Sequence, residues 1–157
     1  INRLIVHVNQ IKLSTNLEPS NAVSAIIIVD ADQYLLQLRD AIPSIWFPSH
    51  WGLFGGAVES NESSEEALVR ELHEELAITP DKYSYDYFTE FTFDFGYCGY
   101  DVVYRKIYEI FINSDEYNNM TLGEGAGMKT FTKPEILNSL KITPYDQFAL
   151  WMHIDNS

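Results

Sequence analysis

Three carboxylates, Glu71, Glu74 and Glu75, fall within the stretch Val69-Arg70-Glu71-Leu72-His73-Glu74-Glu75-Leu76. The stretch reads as a helix. Ser63 followed by Glu66 is a capping-box pattern, and Leu68, Leu72 and Leu76 recur every four residues behind it. At about 100° per residue the leucines and Val69 form one apolar stripe. The glutamates then lie side by side along its border, with Glu75 almost beside Leu68. Like charges at this spacing cost a helix about a few tenths of a kcal/mol per pair. An all-oxygen set on adjacent turns suits a hard divalent cation, Mg²⁺ or alternatively Mn²⁺, whose remaining positions go to water and substrate phosphates. A solvated acidic helix face is the competing use of the same pattern.

Such a helix needs a scaffold, and the rest of the chain offers one. Val23 to Val29, an Asp-rich turn, and Tyr34 to Leu38 predict a hairpin. Residues 40 to 60, with Pro43, Pro48, Gly52, Gly55 and Gly56, predict irregular chain with one short extended piece. Aromatic residues alternate from Tyr83 to Phe95, and a turn at Gly96 to Gly99 leads into Tyr100 to Ile112, a second hairpin. Thr132 and Thr143, each with Pro nearby and an acid three residues on, open two short helices. Strands and helices mix without βαβ alternation, which predicts an α+β fold.

The 157 residues carry 10 Lys and Arg against 23 Asp and Glu, a net charge of −13, and 46% are hydrophobic. This predicts one acidic domain over residues 1–157, with residues 1–20 as a lead-in. The longest apolar run, Ala25 to Val29, is too short to span a membrane. The first residues show no secretory signal, and the single cysteine, Cys98, suits a reducing cytoplasm. The negative charge disfavours nucleic acid and anionic membrane as partners. It would repel a phosphorylated small molecule as well, unless bound cations reverse the local potential.

Gly56, Glu62, Arg70, Glu71, Leu72, Glu74, Glu75 and Ile78 match the Nudix box at every spacing; Ala77 stands where the family has glycine. The chain therefore resembles the Nudix hydrolases, and with its flanks the resemblance runs from about residue 23 to 150. It implies the Nudix fold, a mixed β-sheet sandwiched between α-helices, and hydrolysis of a nucleoside diphosphate linked to another moiety. It implies further that Glu71, Glu74 and Glu75 hold the metal, joined by the carbonyl of Gly56. The general base implied is Glu71 or a loop carboxylate, here Glu124, whose neighbours Gly123, Gly125 and Gly127 suggest a pliant backbone. Arg70 completes the set as the partner of Glu62 that orients the helix. The nucleotide substrate could be a triphosphate, an oxidised nucleotide or a nucleotide sugar.

A nucleotide-binding sensor that has lost catalysis is the alternative, and the intact glutamate triplet disfavours it. Alanine for glycine at Ala77 predicts a shifted exit from the helix near Ile78 and Thr79, since alanine in a left-handed cap costs on the order of 1 kcal/mol. Trp46, Phe47, Trp51 and Phe54 read as core more readily than as a nucleobase stack. Arg39 either reaches a phosphate or is exposed. His50, His73 and His153 share no metal-ligand spacing and read as surface or packing residues. The apolar residues among the first dozen offer a homodimer contact.

Overall fold

In the computed structural model the described residues are 22–79, 84–98, 102–138 and 140–157. Among them, six strands form one mixed sheet. They are β1 (Val23–Val29), β2 (Gln33–Leu38), β3 (Trp51–Gly52), β4 (Tyr85–Asp94), β5 (Val102–Ile112) and β6 (Gly127–Thr132). The order is β3-β2-β1-β5-β4, with β6 also paired to β2. β1 lies antiparallel to β2 and parallel to β5, so it is central. All seven of its residues are buried, as expected of a strand covered on both faces.

Four helices cover the sheet: α1 (Ser64–Leu76), α2 (Ser114–Asn118), α3 (Lys133–Asn138) and α4 (Pro144–Asp155). Alternation along β1 divides the core. Val23, Ala25, Ile27 and Val29 pack with Leu68, Leu72 and Leu76 of α1. Ile26 and Ile28 face the other way, against Ile136 of α3 and Ala149 and Leu150 of α4. The sheet is thus sandwiched between α1 and the α3–α4 pair, the arrangement that the resemblance implies. No helix among the described residues is long and apolar enough to cross a membrane.

Both predicted hairpins form, and the short extended piece is β3. The aromatic alternation along β4 does not describe one face, because a bulge between Tyr87 and Thr89 shifts the register against β5. An extra residue in a strand reverses which side chains point to each face. Tyr85 accordingly packs on the α1 side, whereas Phe91 packs on the α4 side. A single 3₁₀ turn, Gly96–Cys98, takes part of the predicted turn. Strand β6 and the short helix α2 carry too few residues for a periodic signal. The apolar N-terminal residues offered as a dimer contact lie outside the described residues.

Candidate metal and substrate site

Helix α1 begins as its sequence dictates. The Ser63 hydroxyl accepts from Glu66 N, and Glu66 Oε2 accepts from Ser63 N. At its other end Ala77 takes the left-handed conformation, φ 56° and ψ 28°, and donates to His73 O. The helix therefore ends as it would with glycine, and the predicted shift in its exit does not occur. Leu76 and Ile78, on either side of the alanine, pack on the α1 core.

Glu75 is buried at 5% exposure on a helix whose other acids face solvent or the loops. Its carboxylate accepts from Gly55 N at 2.7 Å and from Gln37 Nε2 at 3.2 Å. Burial is the main cause that pushes its carboxyl up to about 8; Glu71 and Glu124 push it the same way, and the two hydrogen bonds oppose them. Burial also raises the Glu71 carboxyl, against the pull of Arg70. Gly56 makes room for this cluster: a Cβ there would collide with the Glu71 carboxylate. The Gly56 carbonyl accepts from Val23 N at 2.9 Å, which leaves it one lone pair.

Arg70 grips Glu62 with both ends of its fork, Nη2 to Oε1 at 2.7 Å and Nε to Oε2 at 3.2 Å, the predicted partnership. It does more than a helical projection indicates. Its Nη1 folds back to Glu71 at 2.8 Å and reaches Glu74 at 3.4 Å, while Nη2 also donates to Ala57 O. A projection locates the Cβ atom, not the head of a long side chain. These bonds hold the Arg70 guanidinium well above its usual range and lower the Glu62 carboxyl.

Glu124 stands close enough to raise both Glu71 and Glu75. Its loop is not the pliant carrier that its glycines suggest. Thr121 N donates to Leu76 O, Gly123 N to Glu75 O at 2.7 Å, Ala126 N to Leu38 O, and Gln37 Nε2 to the Glu124 carbonyl. The glycines serve close approach instead, since a Cβ at Gly123 would strike the Glu74 carbonyl and Gly125 has φ of 88°.

The donors gathered here are all oxygen. The buried Glu75 charge and the mutual repulsion of Glu71, Glu75 and Glu124 fit a hard divalent cation in donor type and in sign. Among the described residues no three acidic, histidine or cysteine side chains converge on one point as they stand. Arg70, bonded to Glu71 and Glu74, occupies that role.

A second group adjoins the first, and no sequence pattern marks it. Leu53 N, two residues before Gly55, donates to Asp146 Oδ2 at 3.1 Å, and the Thr143 hydroxyl donates to the same oxygen at 2.6 Å. Thr143 donates to Asp146, and its hydroxyl makes no side-chain cap of α4. Burial pushes the Asp146 carboxyl up, with Arg105 and Arg39 opposing. Among the described residues, Asp146 Oδ1 and Arg105 Nε are buried side-chain atoms without a hydrogen-bond partner. The Arg105 guanidinium lies 4.9 Å from the centre of the Tyr145 ring. Phe95, Val103 and Tyr145 form the surrounding apolar cluster, with Trp46 and Phe47 packed against it.

Phe54 is core, as predicted, and Trp51 packs edge-on against Phe131. Arg39 is half-buried rather than exposed, and its Nε donates to Trp46 O. His50 bonds Pro48 O and His73 bonds Thr79, both local contacts. In the sequence Asp146 shows only as the acid of a helix start, three residues after Thr143.

A model of the NUDIX domain matches residues 18–150. No curated protein sequence matches the chain. Among solved structures, the NUDIX domain of Shewanella oneidensis NrtR in complex with ADP ribose is 18% identical, covers 86% of each chain and has a TM-score of 0.68. A MutT protein from Methanosarcina mazei is 22% identical over 90% of this chain and 97% of its own, with a TM-score of 0.69. The E. coli dihydroneopterin triphosphate pyrophosphohydrolase is 17% identical over 87% and 95%, with a TM-score of 0.65. At these identities the likeness is one of fold. The family match spans most of the sequence, and its signature residues stand on α1 and the turn before it, so the chain belongs to the Nudix hydrolase family.

Proposed function

We propose that the chain hydrolyses the diphosphate linkage of a small nucleoside diphosphate derivative, with water attacking phosphorus beside the α1 carboxylates. The observation that carries this reading is Glu75: a carboxylate buried at 5% exposure beside Glu71 and Glu124, an arrangement that disfavours its own charge unless a cation joins it. Mg²⁺ or Mn²⁺, held by Glu71, Glu74 and Glu75 with the Gly56 carbonyl, would neutralise the diphosphate and acidify the attacking water. Gly55 N–H and Gln37 orient Glu75, and Arg70 orients Glu71 and Glu74 from the side facing Glu62. Glu71 or Glu124 takes the proton from water.

The nucleoside end of the substrate belongs against Asp146, Arg105 and Tyr145. A buried carboxyl oxygen and a buried guanidinium N–H without partners suit a flat ligand that presents a donor and an acceptor along one edge, such as a nucleobase. The likeness to the dihydroneopterin triphosphate pyrophosphohydrolase favours a triphosphate as substrate. The ADP ribose complex points to nucleotide sugars.

One observation favours a second reading, a nucleotide sensor without turnover. Arg70 already neutralises Glu71 and Glu74 within the chain. Phosphate release measured across triphosphates, oxidised nucleotides, dinucleotides and nucleotide sugars, with Mg²⁺ or with chelator, separates the two. Metal-dependent turnover of one group is expected; tight nucleotide binding with no turnover would establish the sensor.

A further inference from the structure

Different polar contacts tie down the two ends of α4. Asp146 in the first turn bonds Leu53 N and Thr143. His153 in the last turn pairs at Nδ1 with the Tyr34 hydroxyl at 3.0 Å and at Nε2 with Glu109 at 3.0 Å. The seven-residue step from Asp146 to His153 comes within about 20° of two full turns, so both side chains leave the same face of the helix. They are about 10 Å apart along its axis. Tyr34 belongs to β2 and Glu109 to β5, with β1 between them, so this hydrogen-bonded chain crosses three strands.

The imidazole and the tyrosine are enclosed, and the Glu109 carboxylate is half-buried. His153 is 7% exposed and Tyr34 2%, and the Tyr34 and Phe88 rings meet the imidazole edge-on. The two ring nitrogens face different partners, a hydroxyl at Nδ1 and a carboxylate at Nε2. With the imidazole neutral, Nε2 carries the proton and donates to Glu109, and the Nδ1 lone pair accepts from Tyr34. Between the two anchors, Ala149 and Leu150 are the fully buried residues of the helix. Apolar contact is non-directional, so it holds α4 on the sheet without fixing how far along the sheet it sits. Directional hydrogen bonds at each end fix that.

We infer that His153 is a positioning residue: the Tyr34–His153–Glu109 chain sets where α4 stands on the sheet, and thereby where Asp146 offers its free oxygen to the substrate. The second half of this statement rests on the proposed role of Asp146 in holding the nucleoside; the first half does not.

Amide hydrogen exchange on the full chain reads the placement of α4 without substrate. In His153→Ala the Leu53 amide, bonded to Asp146, is expected to exchange about tenfold faster, the scale of one lost buried hydrogen bond. The Gly55 amide, bonded to Glu75, is expected to keep its rate. For a nucleotide that the wild-type chain turns over, KM rises with little change in kcat. Tyr34→Phe keeps the ring, removes only the hydroxyl and gives a smaller effect of the same kind; it decides the matter if His153→Ala does not fold. Equal acceleration at Leu53 and Gly55, or none at either, overturns the inference. Selective acceleration at Leu53 with KM unchanged overturns its link to substrate. Failure of every nucleotide to be turned over counts against the hydrolase reading alone, and the comparison of Leu53 with Gly55 still decides the placement of α4.

Discussion

Glu75 concentrates the physical tension of the site in one side chain. Its carboxyl is pushed up to about 8 in the folded chain, from an ordinary value of 4.5. Between those values the folded state keeps a proton that the unfolded state has released. Stability without metal must therefore fall as pH rises from about 5 to about 8. Thermal melts in chelator across that range should show the decline, and Glu75→Gln should flatten it while abolishing metal-dependent turnover. Near-normal turnover in Glu75→Gln would remove this residue from the metal site. For Glu124→Gln, kcat is expected to fall on the order of a hundredfold if Glu124 accepts the proton from water. An unchanged rate assigns that step to Glu71. The residues legible in the sequence, Gly56, Glu62, Arg70 and the three glutamates, share one local segment whose spacing is fixed by a helix and the turn before it. Gln37, Arg105 and Asp146 were not legible, because three separate elements bring them to the site and only tertiary packing makes them neighbours.

Elements explain which parts of the sequence spoke plainly. α1 announces both ends, through Ser63 and Glu66 at the start and the last leucine of its stripe. Its final cap holds an alanine in a conformation that glycine adopts without cost. Ala77→Gly is accordingly expected to raise stability by up to about 1 kcal/mol, or about 2–4 °C in Tm for a chain of this size. A calorimetric scan checks this, and a lowered Tm would mean that the alanine methyl packs usefully. The β4 alternation marked a strand correctly, but its aromatic residues do not share one face, because the bulge at Tyr87 and Thr89 breaks the ladder. β6 is defined by its pairing with β2 rather than by any pattern of its own.

At the scale of the whole molecule the net charge of −13 opposes every phosphorylated ligand. On the proposed reading cations mediate the encounter, so Mg²⁺ is expected to raise Tm by mass action on the folded state, in proportion to the logarithm of its concentration above Kd. It is expected also to strengthen nucleotide binding measured by calorimetry with a non-hydrolysable analogue. A Tm indifferent to Mg²⁺ would argue for Arg70 as the standing counter-ion. One segment carries a consequence for the choice of ligand. The amides of Leu53 and Gly55 hold carboxylates from α4 and α1 respectively, and two residues of backbone span at most about 7 Å. If Asp146 holds the base and the α1 carboxylates serve the diphosphate, as proposed, that short run of chain acts as a ruler between recognition and chemistry, and a molecule would be accepted or refused by whether its own base-to-diphosphate length matches.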